Sequence, residues 1–169
     1  VRYVYAKGHR RIAFIHGEQT AVTENRLTGF YRACDALELE IPDAYIREGV
    51  YHDPDRCAEL TRELLRLPEP PTCILMPDDF SSIGGRNAIH RMDLRLPEDI
   101  SVAGYDGIQI ASVMSPALTT YRQDTQALGR TAAAKLIELI EKPRTALVDR
   151  VLIPGHLVEG ASVRAIETL

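Results

Sequence analysis

Short apolar runs alternate with helical patterns along this chain, and that alternation fixes the fold class. RIAFIHG (11–17), YIREGVY (45–51), TCILM (72–76) and ISVAGYD (100–106) read as strands. Between them, Leu27, Phe30, Tyr31, Cys34 and Leu37 fall at helical spacing, as do Leu60, Leu64 and Leu67. Asp53 and Pro54 form an N-cap and first-position pair for the second helix, and Asp79 reads as the N-cap of a third, FSSIGGRNAIHRM. GIQIASVM reads as a short helix, LTTYRQD (118–124) as extended, TQALGRTAAAKLIELIEK as the clearest helix, and 149–162 as a broken strand. Strands this apolar need cover on both faces. The fold class is therefore α/β, a parallel sheet with helices on both faces.

In such sheets ligands bind outside the carboxyl ends of the strands. Arg26 follows the first strand, Tyr51 the second, Asp78 and Asp79 the third, and Asp106 the fourth. A guanidinium and carboxylates pair with vicinal hydroxyls, and an aromatic face covers the apolar side of a sugar. Arg26 falls in the first turns of its helix, TENRLTGF (23–30), where the positive end of the helix dipole disfavours a cation. A ligand crevice would explain it there. Each residue also has a plainer role open to it: Arg26 in a surface pair with Glu24 or Asp53, Tyr51 in core packing, Asp106 as the turn residue of Asp-Gly, Asp79 as a helix cap.

Composition narrows the function. The 169 residues carry a net charge of −4, which argues against this chain gripping nucleic acid by itself. Cys34, Cys57 and Cys73 lie in apolar runs and read as reduced core residues. No run approaches the ~18 apolar residues of a membrane span, and no signal peptide is visible. The chain opens on Val1 and is expected to be a fragment. The five histidines lack metal spacing, so no metal or cofactor is expected. There is no GxGxxG, no P-loop and no nucleophile elbow, and no lysine follows a core strand to complete a phosphoacceptor pocket around Asp78 and Asp79. An enzyme is not expected.

Five stretches in order, GHRRIAFIHG, NRLTGFYRA, ILMPDDFSSIGGRNAI, LPEDISVAGYDG and SPALTTYRQDTQALGRTAAAKLIELIE, resemble the LacI/GalR family of bacterial transcription regulators. The resemblance implies a two-lobed, periplasmic-binding-protein-like (type I) effector domain in a cytoplasmic homodimer. An N-terminal helix-turn-helix, expected to be absent from this chain, would read the operator. Residues 1–117 would form the C-terminal lobe, 118–155 a crossover and partial N-terminal lobe, and 156–169 the return. Arg26, Asp106, Tyr51 and Asp78 match ligand contacts. Ile83, Gly84, Ile110, Val113 and Met114 match the dimer contact. Two departures stand out: Val22 where the family often has Ser or Thr, and Glu18 where it often has proline. The effector class therefore stays open among hexose, other polyol, purine-like ring and acid. The competing class is a periplasmic solute-binding protein of a sugar uptake transporter. The stripe Leu128, Ala132, Leu136 and Ile140 needs cover, and three outcomes are open: folding back on its own lobe, packing on a second copy, which is favoured, or disorder.

Overall fold

The computed structural model describes residues 1–143, 145 and 150–166. Helix α1 spans Arg2–Ala6, strand β1 Ile12–His16, helix α2 Ala21–Asp35, strand β2 Ile46–Glu48 and helix α3 Pro54–Leu65. Strand β3 (Cys73–Leu75), helix α4 (Ser82–Arg91), strand β4 (Ser101–Asp106), helix α5 (Gln109–Val113) and strand β5 (Thr119–Arg122) follow. Helix α6 (Thr125–Glu141) and strand β6 (His156–Val158) complete the order. One sheet runs β2-β1-β3-β4-β5-β6, parallel throughout except that β6 is antiparallel to β5.

Side-chain alternation explains the two layers. From β1, Ala13 and Ile15 point into a core built with Leu60, Leu64 and Ile89 of α3 and α4. Ile12 and Phe14 point to the other side, onto Val4, Phe30 and Cys34 of α1 and α2. The three cysteines are free and buried, as their setting implied.

The end of the described chain closes the sheet's amino edge. Ser162 Oγ donates to the Val102 carbonyl at 2.7 Å and accepts from Thr119 N–H at 2.8 Å. Buried His9 bridges Thr72 Oγ1 (2.9 Å) and the Arg164 carbonyl (3.1 Å), and Ile166 N–H donates to Lys7.

Several boundaries differ from the sequence reading. Helix α2 starts at Ala21, capped by the Thr20 hydroxyl on Thr23 N–H, so Arg26 lies in the second turn, beyond the strongest part of the dipole. Asp53 caps α3 as expected, accepting from Arg56 N–H. Asp79 does not cap α4, which begins at Ser82. The expected strand at 45–51 shrinks to β2, because a 3-10 turn takes Tyr45 and Gly49 starts the loop. The broken strand at 149–162 contributes only β6, and residue 149 lies outside the described residues, as do 167–169 of the expected return segment.

Gly84, expected at a dimer contact, is buried against α3 of its own chain. A Cβ built on it would sit 1.6 Å from the Pro54 carbonyl oxygen of α3. Its missing side chain permits the α3–α4 approach within one chain. Of the other expected contacts, Val113 is 71 % exposed, Ile83 and Ile110 are half-buried, and Met114 packs on the core. Helix α6 is formed and none of its residues is buried. Leu128, Leu136, Ile137 and Ile140 lie exposed, so the helix neither folds back nor melts.

The glycine geometry gives a paired prediction. Gly84→Ala should destabilise by about 1–3 kcal/mol through overpacking. Gly29→Ala, in α2 with open space around its Cβ position, should stabilise by about 0.5–1 kcal/mol. Denaturant unfolding of the two variants checks both signs.

Candidate functional site

The strand order places a topological switch between β1 and β3: the chain leaves β1 toward β2 on one side and returns to β3 on the other. A crevice at the carboxyl ends follows from that divergence. Arg26 reaches into it from α2. Its Nη1 donates to the Pro77 carbonyl at 2.7 Å, and its Nη2 lies 3.6 Å from Asp106 Oδ1. The guanidinium carbon sits 3.8 Å from the ring centre of Tyr105 and 5.2 Å from that of Tyr51. Arg26 thus lies between two rings and a carboxylate, with Nε buried and unpaired.

Tyr51 is held by what surrounds it. The Thr23 hydroxyl donates to the Glu18 carbonyl at 2.7 Å, so the Tyr51 hydroxyl donates to Thr23 Oγ1 at 3.0 Å. The Tyr51 N–H donates to Glu18 Oε2 at 2.9 Å. Its ring lies flat on Gly17, where a Cβ would come within 2.2 Å of it. Both sequence departures therefore have local roles. Glu18 fixes the Tyr51 turn, and Thr23 is turned inward while Val22 faces solvent.

Asp106 ends β4 with φ of +106°, a conformation that L side chains avoid. Its carbonyl accepts from Gln123 N–H, and its Oδ1 accepts from Gln123 Nε2 at 2.6 Å. Burial pushes the Asp106 carboxyl up; the Gln123 bond and the Arg26 charge pull the other way.

The two adjacent aspartates do different work. Asp78, only 1 % exposed, accepts from Ser81 N–H (2.7 Å), Ser81 Oγ (2.7 Å) and His52 N–H (3.0 Å). It holds the turn before α4 and the loop after β2, and both its oxygens are occupied. Asp79 is fully buried. Its N–H donates to the Tyr105 carbonyl, and its carboxylate accepts from Thr120 Oγ1 (2.6 Å), Ile108 N–H (2.9 Å) and Gly107 N–H. Gly104 leaves room for it, since a Cβ there would meet Asp79 Oδ1 at 2.3 Å. Burial pushes the Asp79 carboxyl up, and its three donors oppose that.

The structure thus brings Arg26, Tyr51 and Asp106 together and sets Asp78 behind them. Tyr105, Gln123 and Glu18 were missed as site residues. Tyr105 was legible beside Asp106, but its face toward Arg26 depends on the register of β4. Gln123 lies after β5, and only the pairing of β4 with β5 brings it to Asp106. Two shallow surface depressions lie elsewhere, on α6 and beside the second half of α4. Among the described residues no group of His, Cys, Asp or Glu is arranged to hold a metal ion, and no helix is long and apolar enough to cross a membrane.

Residues 1–163 match the family model described as "Periplasmic binding protein-like domain". The chain belongs to this family. Its relatives place it in the LacI type. It is 33% identical over 168 residues to the HTH-type transcriptional repressor PurR of Escherichia coli, covering 96% of this chain and 49% of PurR. The chain therefore spans about half the length of the curated relatives it matches. A transcriptional regulator LacI from Bacillus cereus subsp. cytotoxis shares the fold with a TM-score of 0.92 at 26% identity, over 98% of this chain and 58% of that one. The regulator CelR, solved in complex with cellobiose, gives 0.87 at 29% identity, over 95% and 49%. A dimeric lac repressor gives 0.88 at 28%, over 98% and 59%. These similar proteins are transcriptional regulators.

In this LacI-type domain the joint at Asp79 is open to test. Thr120→Val keeps the shape and removes one donor from a buried carboxylate. It should destabilise the chain by about 1.5–3 kcal/mol at neutral pH, the usual worth of a hydrogen bond to a charged group. The variant raises the carboxyl's proton affinity further, so its deficit relative to wild type should shrink as pH falls and Asp79 becomes neutral. Denaturant midpoints of the pair measured across acidic and neutral pH give the result.

Proposed function

We propose that this chain is part of the effector-sensing domain of a LacI-type transcriptional regulator. A small polar, sugar-like effector lies against the carboxyl edge of the sheet. Arg26 and Asp106 bind its hydroxyl or acidic groups, and Tyr51 with Tyr105 covers its apolar face. The observation that carries this reading is the guanidinium held between two rings and a carboxylate at the switch point. Asp78 acts behind the contact layer by fixing the His52 loop. The likeness to PurR, CelR and the lac repressor favours a regulator over a transporter's solute-binding protein.

On this reading residues 1–117 and 156–169 belong to one lobe, and 118–155 lead into a second that supplies the other wall of the cleft. The exposed stripe of α6 packs against that second lobe. The regulator acts in the cytoplasm as a homodimer, with Val113, Ile83, Ile110 and Met114 near the contact, and reaches operator DNA through a helix-turn-helix outside these 169 residues.

In a protein carrying both lobes, Arg26→Ala should cost about 2–5 kcal/mol of effector binding, as expected for truncating one side of a desolvated charged contact, and leave folding intact. Calorimetry against the effector found by a thermal-shift screen of sugars and nucleobases measures it; unchanged affinity would remove Arg26 from the site. The 169-residue chain, holding one wall of the cleft, should bind the same effector far more weakly. Equal affinity would mean that one lobe carries the whole site.

A further inference from the structure

A guanidinium binds a hydroxyl, a carboxylate or a phosphate, so Arg26 alone does not decide what the crevice takes. Its surroundings do. Arg26 Nη2 lies 3.6 Å from Asp106 Oδ1, and the two side chains are 17 and 24 % exposed. Behind them stand Asp78 and Asp79, both buried. Burial pushes the Asp106 and Asp79 carboxyls up, and the charges of Asp78 on Asp106 and of Asp106 on Asp79 push the same way. Arg26 and, when protonated, His52 act against that at Asp106. Arg122, opposite Asp106 in the β4–β5 pairing, is turned onto the Gly107 carbonyl, to which its Nε donates at 3.0 Å. The wall around Arg26 is therefore negative.

The unused hydrogen-bonding groups narrow the choice further. Arg26 spends Nη1 on the Pro77 carbonyl and leaves Nε and Nη2 without a hydrogen bond among the described residues. Asp106 accepts from Gln123 Nε2 through Oδ1, and its Oδ2 accepts from none of the described residues. Gln123 thus steadies the carboxylate and leaves one oxygen to offer. Donors and an acceptor stand side by side. A hydroxyl accepts from one and donates to the other, whereas an ionised carboxylate or phosphate only accepts. An anionic ligand would satisfy Arg26 and press a like charge on Asp106.

We propose that Asp106 is the specificity filter of the crevice: the effector is a neutral compound with adjacent hydroxyls, such as an aldose, an alditol or a glycoside, and sugar acids and sugar phosphates are rejected. One hydroxyl of the pair accepts from Arg26, and its neighbour donates to Asp106 Oδ2. Rejection comes from repulsion already present in the empty crevice. The proposal rests on the reading that Arg26 and Asp106 face the effector, and it removes the acidic ligands which that reading leaves open.

The test uses a protein carrying both lobes, with thermal shift and calorimetry. Glucose, galactose, ribose, mannitol and cellobiose are compared with glucuronate, galacturonate, gluconate and glucose 6-phosphate, and adenine serves as a ring without a diol. The expected result is saturable binding of at least one neutral sugar or alditol, with every acid and phosphate weaker by about tenfold or more, the effect of a like charge beside Asp106. Asp106→Asn keeps an acceptor for Gln123, suits the positive φ and removes the charge, so it should narrow that gap by about tenfold. Arg26→Gln should weaken the neutral ligand by about tenfold or more. An acid, a phosphate or adenine that binds as tightly as the best neutral sugar or alditol would overturn the proposal. If Arg26→Gln also abolishes that binding, the crevice reading stands and only the effector class falls. Binding unmoved by both Arg26→Gln and Asp106→Asn would overturn the two together. Selectivity unchanged in Asp106→Asn would take the filter away from Asp106, and no saturable binding of any neutral sugar or alditol at millimolar concentration would count equally against it.

Discussion

The buried carboxylate of Asp79 joins three neighbouring strands. It follows β3, accepts from the turn after β4, and accepts from Thr120 of β5. Its own N–H ties back to Tyr105. A buried anion is tolerable only when its lone pairs are met, and here three donors meet them. The consequence reaches the crevice. Residues 105–108 are wrapped around Asp79, so the face that Tyr105 shows to Arg26 and the strained backbone of Asp106 both rest on a fully buried residue. That joint and the two Gln123 bonds together hold a positive φ at a non-glycine residue.

The crevice itself is a balance of opposed demands. Arg26 keeps one carbonyl bond, two aromatic faces and a carboxylate at 3.6 Å, which is attraction without tight pairing. A closer, bidentate pair would leave neither partner free to bind anything else. The carboxylate is steadied instead by Gln123, and the ring of Tyr51 by Gly17 and Thr23. Orientation comes from neighbours, so the groups facing outward stay available. This is the arrangement expected of a binding surface whose specificity is built before the ligand arrives.

Fold class was legible because buried parallel strands and amphipathic helices leave strong periodic signals. The strand-end rule then put Arg26, Tyr51 and Asp106 at one edge from their order alone. Asp78 and Asp79 could not be told apart that way. They are neighbours in sequence, and which one turns toward the loop and which under β4 depends on packing. Gly84 shows the same limit. A residue without a side chain admits a close backbone approach, but the sequence does not say which backbone comes near, and here α3 of the same chain does. Gln123 was hidden because its role exists only once β4 and β5 pair.

The central claim is that the guanidinium of Arg26 meets the effector directly while its neighbours hold it in place. The side-chain Nε–Hε signal of Arg26, followed by NMR in a protein carrying both lobes, reports on that contact most directly. On titration with a compound that raises the protein's melting temperature, the account predicts that this signal shifts and its solvent exchange slows. A signal that stays unchanged while the compound saturates the protein would contradict it.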